Sequence, residues 1–333
     1  MTQQQPQQST PSGALRFNTE TSKLEYYDGI DWVNITSSSA DSNTGGNLTL
    51  LAGGLHPGGG ASHILYHSAD SKSNTEGFGS LSPSSMTHSM QAGASRTRAV
   101  FSGGYRNNIC YKEFASKGNA TAFGTLINWT YNSSQGYCSN NTRMLTCGGY
   151  NYGGSPAAWA GSNEITCITM ATLGNNEDFG DISTAKWFLG GCGNSTRAIF
   201  GGGSPSGTFT VNYATKGDAA DFGIMGGGVR YGAHSNATRG IFGGNSTSNS
   251  TSLYVTLSSF GRAADFGDLT VARTYIEMSG SHTRAIAYGG NTPTYQSVID
   301  YYQISTLGDA QDFGDLNEAR LRQAAASNTH GGL

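Results

Sequence analysis

The chain has 333 residues, of which only 12% are charged and 49 are Gly, and a formal net charge of −3. This balance excludes a mainly helical protein, since Gly, Ser, Thr and Asn are poor helix-interior residues, and it leaves no basic surface for nucleic acid or an anionic membrane. With 17 Tyr, 14 Phe and regular apolar runs the chain is not disordered, and no run reaches the roughly 18 apolar residues of a membrane-spanning helix, so no membrane insertion is expected.

Residues 1–12 are rich in Gln and Pro and read as a flexible tail. They carry neither the basic residues nor the apolar core of a secretory signal, so synthesis in a bacterial cytoplasm is expected. Residues 13–36 form a small β module with three short strands predicted at 14–18, 23–27 and 31–35, separated by turn residues. Some thirty residues cannot bury enough surface to stand alone. The module is therefore either an appendage or an adaptor that completes its core on a partner or on copies of itself. Its pattern is carried by Gly13, Leu15, Arg16, Phe17, Asn18, Lys23, Leu24, Glu25, Tyr27, Asp28, Gly29 and Trp32. It resembles a module found near the amino ends of tailed-bacteriophage fibre and tail-associated proteins. That resemblance implies attachment to a virion, with Leu15, Phe17, Tyr27 and Trp32 as the attachment residues. A Ser/Asp/Asn/Gly stretch at 37–47 reads as a linker.

From residue 48 onward a repeat takes over. Its clearest copies are HSNATRGIFGG (234–244), GNSTRAIFGGG (193–203) and GSHTRAIAYGG (280–290), with looser copies at 95–104 and 139–149. Each has a polar turn, Thr-Arg, an apolar run and a Gly-Gly stop. A Phe-Gly pair keeps step at Phe78, Phe123, Phe179, Phe222, Phe266 and Phe313, spaced by 45, 56, 43, 44 and 47 residues. A period of about 40–50 residues is the size of one propeller blade. One unit reads as a first strand at 186–194, a second at 196–203, a third at 208–217, a turn carrying Phe-Gly, and a fourth strand or extended return. Third strands are predicted at 63–68, 109–115, 164–171, 209–215, 253–259 and 298–305.

The first unit opens on a second strand, LTLLAGG, and the final residues match a first strand at 321–326. One end supplies what the other lacks, and closure also removes exposed sheet edges. The expected fold is therefore all-β: a six-bladed β-propeller over 48–333, closed by the C-terminal strand, beside the small meander. The unit resembles the kelch repeat through Arg320 with Ala324–Ala326, Gly243–Gly244, Tyr254 and Tyr301, with Phe266 and Phe313 where that family usually has Trp. It departs from kelch in its Phe-Gly and in the Thr-Arg before the second strand, so kelch-like is the description.

Candidate chemistry is sparse. Gly-rich runs at 53–60 and 223–230 lack the Gly-Lys-Ser/Thr ending and the following helix of a phosphate loop. The pairs Asp178/Asp181, Asp265/Asp268 and Asp312/Asp315 recur between repeats, as turn-forming side chains do, and Lys186, Arg273 and Arg320 are placed to neutralise them. Arg98, Arg143, Arg197, Arg239 and Arg284 are expected to tie turns to carbonyls of the neighbouring blade, and Asn-x-Ser/Thr triplets at 194 and 236 to be turns. Cys110, Cys138, Cys147, Cys167 and Cys192 show no metal-like spacing and read as buried small hydrophobes. Cys138 and Cys147 flank one hairpin turn, which leaves a disulfide there open. His63, His67 and His88 lack an acidic partner and read as ordinary core or surface residues. No cofactor and no metal is expected.

The connections after Gly-Gly vary most: 55–62, 105–108, 150–163, 204–207, 245–252 and 291–297. Loops on a rigid scaffold are where binding is usually found. Tyr105, Tyr150, Tyr152, Trp159 and Tyr295 in these loops are the candidate ligand- or partner-binding residues, since aromatic faces beside amides suit sugar rings or protein contacts. The expected function is a non-enzymatic structural protein of a tailed-phage virion (fibre, tail or capsid-attached), forming a homo-oligomer on the particle. Its expected partners are other virion proteins and host-surface glycan. The alternatives are a glycan-processing enzyme on a propeller scaffold and a cellular kelch-type adaptor; the first lacks acidic residues in the variable loops, and the second does not explain the amino-terminal module.

Overall fold

The computed structural model describes all residues except 1–10, 19–22, 35–45, 105, 128–129, 132–135, 154–157, 227, 229–231 and 246–249. The protein is all-β, built of antiparallel sheets. It divides into two compact units, Met1–Asn43 and Thr44–Leu333.

The first unit is the expected three-stranded meander, with strands Leu15–Asn18, Lys23–Tyr27 and Trp32–Asn34. Register sorts its side chains. Leu15 lies opposite Tyr26 and Tyr26 opposite Val33, while Phe17 lies opposite Leu24, so these five share one face. On the other face Arg16 pairs with Glu25 at 2.8 Å and lies 4.2 Å above the Trp32 ring, which packs on Tyr27 at 5.5 Å.

In the second unit, the described residues form six four-stranded meanders, here I to VI. Sheet I consists of Ala324–Ser327, Leu48–Ala52, His63–Ser68 and Glu76–Ser80, in that spatial order. Sheet II runs through Met90–Ala94, Arg98–Gly103, Asn108–Glu113 and Thr121–Thr125. Sheets III and IV share a long strand, Glu177–Gly193, whose first part is the fourth strand of III and whose second part is the first strand of IV. Sheet III otherwise uses Gly136–Ser139, Arg143–Cys147 and Ala158–Thr169, and sheet IV uses Arg197–Ser204, Gly207–Asn212 and Ala220–Gly223. Sheet V is Gly232–Ser235, Arg239–Gly243, Thr251–Thr256 and Ala264–Asp268. Sheet VI is Glu277–Gly280, Arg284–Tyr288, Val298–Gln303 and Gln311–Asp315.

The carboxyl-side strand does pair with the first one: Ala325 lies opposite Leu51 and Ser327 opposite Thr49. It begins at Ala324 rather than at the expected 321, because Arg322 adopts a left-handed backbone that interrupts an extended run. Asn328 completes the join. Its N–H donates to Leu48 O at 3.1 Å and its Oδ1 accepts Leu48 N–H at 2.9 Å. Those are the bonds that Asn140 makes to Arg143 within one continuous turn.

Alternating side chains within a strand feed different clusters, because both faces of each sheet are covered. Leu50 packs with Phe101, Cys110 and Phe114 of sheet II, whereas Leu51 packs with Ile286, Tyr288 and Phe313 of sheet VI. Equivalent clusters join II to III, III to IV, IV to V and V to VI. Each first strand also neighbours the first strand of the following sheet, from VI back to I.

Both sequence signatures are devices for joining sheets. Opposite each Phe-Gly the register shifts by one, so that in sheet VI Asp312 and Gly314 are paired and Phe313 is the extra residue of a β-bulge. The bulge turns the ring inward, and all six Phe are at most 5% exposed. The following Gly is required by proximity: a Cβ on Gly267 would stand 2.2 Å from Gly308 O of the next sheet, on a backbone at φ +147°. Phe-Gly therefore belongs to the fourth strand, not to the turn before it as expected, because the ring is core and the strand carries it there.

The Thr-Arg guanidinium groups reach the next sheet as expected. Arg197 donates to Leu257 O at 2.9 Å, Arg239 to Ile304 O at 2.6 Å and Arg284 to Ala69 O at 3.1 Å, while Arg98 and Arg143 bond Met170 O and Tyr213 O. In the turns before them, Asn140, Asn194 and Asn236 each accept two backbone N–H groups. The expected neutralisation of the Asp pairs is not what forms. The six paired Asp are exposed, whereas Arg273 pairs with Asp300 at 2.9 Å, both fully buried, Arg320 pairs with Glu318, and Lys186 donates to Pro205 O. Asp300 sits on a buried third-strand position, where an uncompensated charge would be far more costly than on an exposed turn. All five cysteines are free thiols, so the Cys138–Cys147 disulfide is absent; register sets Cys138 opposite Leu145 and Cys147 opposite Gly136.

Candidate functional site

Among the described residues, four that are not glycine have left-handed backbone: Ser89 (φ 57°), Phe188 (62°), Tyr275 (56°) and Arg322 (55°). They occupy one equivalent position, just before or at the start of a first strand. Such backbone costs roughly 1–3 kcal/mol per residue, so it persists only where surrounding contacts enforce it. Here main-chain bonds link neighbours: Arg322 N–H donates to Tyr275 O at 3.4 Å, and Ser89 N–H to Arg322 O at 2.9 Å. All four line one cavity of about 90 Å³ between the first strands.

Polar residues line it. Gln323 is 2% exposed and neither its Nε2 nor its Oε1 has a hydrogen-bond partner; the Tyr137 hydroxyl is in the same condition. That hydroxyl lies close to the Glu277 carboxyl without making a well-formed bond. Burial pushes the Glu277 carboxyl up to about 8, against the opposing pull of Tyr137 and of the Met278 N–H, which donates to Oε1 at 3.1 Å. At neutral pH it is thus an uncharged acid, able to donate as well as accept. Burial likewise pushes the Tyr137 phenol well above its ordinary value. Room comes from Gly190 and Gly191 on the facing strand; a Cβ on Gly191 would meet Tyr137 O at 2.4 Å. At the rim the Arg322 guanidinium lies 4.3 Å from the centre of the Tyr275 ring.

Beneath this cavity the space between the first strands continues to His330. There residues 328–332 cross from one sheet to another. His330 Nε2–H donates to Ala94 O at 2.9 Å, and Gly331 N–H donates to Ser235 O at 2.9 Å. A Cβ on Gly332 would stand 2.1 Å from Ser139 O. Burial pushes the His330 imidazole down to about 4, so this closure is uncharged at neutral pH. Residues 328–332 thus span the space between the first strands at this end.

Comparison with known proteins adds no assignment. No protein-family model matches this chain, and no curated protein does.

Of the described loop residues expected to bind, Tyr150 and Tyr295, the structure brings the first to the rim. Tyr150 stacks on Trp187 (4.9 Å, 25°) and meets Phe188 edge-on at 5.7 Å, so it buttresses the collar. Tyr295 lies away from it, in the loop where Asn291 bridges to Tyr295. Tyr152 and Trp159 are paired across the hairpin Tyr150–Gly153 and Ala158–Thr169; their side chains, like all of Tyr105, lie outside the described residues. Of the attachment residues, Leu15 and Phe17 are 63% and 61% exposed on the bare face of the meander, while Tyr27 and Trp32 pack together on its reverse. Sequence reasoning missed Tyr137, Glu277, Arg322 and Gln323. The available signal was a polar residue entering an otherwise small or apolar first strand, as in IEMSG and RQAAAS.

Among the described residues no group of three or more His, Cys, Asp or Glu could hold a metal ion.

Proposed function

We propose that this protein is a non-enzymatic structural component of a tailed-phage virion, its amino-terminal meander docking to the particle. In this reading residues 48–333 are a kelch-like six-bladed propeller that meets other virion proteins or the host surface. The observation that carries it is the bare face of the meander: Leu15, Phe17, Leu24, Tyr26 and Val33 lie side by side, each at least 39% exposed, over an ion-paired reverse. A three-stranded sheet gains independent stability only when such a face is covered. We assign its occupant as an apolar surface of another virion protein, in line with the resemblance of Gly13–Trp32 to phage fibre and tail modules.

Support for the propeller is the cyclic order of sheets I to VI, with core clusters at every junction and the Asn328–Leu48 bonds standing in for a turn. Support for a binding rather than a hydrolytic role is that the cavity lining contains one carboxyl group, Glu277, whereas glycoside hydrolysis uses two.

The test is location. Full-length protein should be found in purified particles, and residues 44–333 alone should be soluble but absent from them. Full-length protein found only in the infected cell would overturn the reading.

A further inference from the structure

We propose that the blind pocket behind the Ser89–Phe188–Tyr275–Arg322 collar binds one uncharged sugar ring, the terminal hexose of a surface glycan. The source of that sugar rests on the host-surface reading above; the pocket's chemistry does not.

The groups left unsatisfied inside are the argument. Gln323, on the lining, keeps a donor and an acceptor without partners in a side chain that is 2% exposed, and the Tyr137 hydroxyl, beside the Glu277 carboxyl, makes no well-formed bond. Leaving such buried groups unpaired costs about 1–3 kcal/mol each, a penalty a ligand of matching polarity removes. A sugar carries adjacent hydroxyls, each both donor and acceptor, which match an amide's paired donor and acceptor. The Glu277 carboxyl, uncharged near neutral pH, adds a further donor. Tyr275 and Phe188 line the rim with aromatic rings.

Size and charge narrow the class. A cavity of about 90 Å³ has room for only a few waters, so it can take at most one ring and not an oligosaccharide. The block formed by residues 328–332 prevents a chain from threading through, so a terminal unit is required. A cation would approach past the Arg322 guanidinium at the rim, and the polar side chains Gln323, Tyr137 and the uncharged Glu277 match neutral hydroxyls. The collar is also pre-formed, since its strained backbone is already held by main-chain bonds, so little ordering is needed on binding.

The test uses purified full-length protein, saturation-transfer NMR and titration calorimetry with glucose, galactose, mannose and N-acetylglucosamine at millimolar concentration. At least one should bind, and Tyr137→Phe and Gln323→Leu should each weaken it by about tenfold or more while melting temperature is retained. Tyr295→Ala should leave affinity unchanged. If neither pocket variant folds, displacement of the bound sugar's signal by a paramagnetic label on a cysteine introduced at Ser89 gives the same answer. Binding by none of the four sugars, binding only of acidic sugars, or affinity retained in both folded variants would overturn the proposal. Absence of the protein from virions would not touch this result, and failure to bind sugar would not touch its place in the particle.

Discussion

Gly79→Ala, set against Gly77→Ala two residues away, isolates the junction between sheets. Both glycines flank Phe78. A Cβ on Gly77 meets nothing within 4 Å, whereas one on Gly79 would stand 1.8 Å from Gly118 O and 2.4 Å from Gly118 C of the next sheet. Both of those atoms are backbone, so relief requires sheets I and II to move apart. Three bonds cross there: Gly118 N–H to Phe78 O (2.7 Å), Ala120 N–H to Ser80 O (2.8 Å) and Ser80 N–H to Asn119 Oδ1 (3.1 Å). Their loss costs about 3 kcal/mol at about 1 kcal/mol each, and overpacking adds about 1–3 kcal/mol. The expected destabilisation is about 4–6 kcal/mol, or about 7–10 °C in melting temperature for a unit of this size, while Gly77→Ala should stay within about 0.5 kcal/mol of wild type. Calorimetry and urea unfolding of both variants measure this. Equal melting temperatures for the two would refute the account of Phe-Gly as the inter-sheet joint.

Arg273→Met should destabilise by about 3–5 kcal/mol in urea unfolding, because it leaves Asp300 fully buried with no counter-charge, and the added change Asp300→Leu should recover part of the loss. Acid should unfold the protein early: burial pushes His67 down to about 4 and His234 to about 3, so both stay neutral in the native state while the unfolded chain takes up protons below about 6.5. Their contribution is full above that pH and is lost as pH falls towards 4, up to about 3 kcal/mol each, which melting curves between pH 7 and 4 will record. Glu277 acts in the opposite sense, its contribution being full below about 4.5 and lost as pH rises towards 8, so Glu277→Gln should flatten the alkaline limb. A thiol reagent at pH 8 should leave the native cysteines unmodified over minutes and label all five after denaturation, since burial pushes Cys110 and Cys138 up to about 12 and Cys167 to about 11.

The repeat made most of the fold legible. Phe-Gly, Thr-Arg and Gly-Gly each solve a local problem that returns in every sheet, so their recurrence marked strands, turns and junctions in advance. Five of the six third strands fell within three residues of expectation at each end, His63–Ser68 to the residue, while Ala158–Thr169 begins six residues before the expected 164. The fourth strand was misjudged because Asp and Gly around each Phe look like turn residues, when in fact the Gly there accommodates a bulge and a neighbouring backbone. The pocket was not legible for the converse reason. Its residues come from first strands dozens of positions apart, and each appears once, so no period marks Glu277 or Gln323. Only the convergence of the strands brings them together. Arg273 illustrates the same limit: the nearest carboxylates in sequence were its obvious partners, but Asp300 is the one that shares its interior.

The bonds from Asn328 to Leu48 span 280 positions, and this has a bearing on synthesis. While the polypeptide emerges, Leu48–Ala52 is a greasy border with nothing on one side. At about 5–20 residues per second a ribosome needs about 14–56 s to deliver the missing neighbour. Throughout that wait the nascent chain displays a template for stray pairing. Shielding this border during synthesis is therefore expected to limit misassembly.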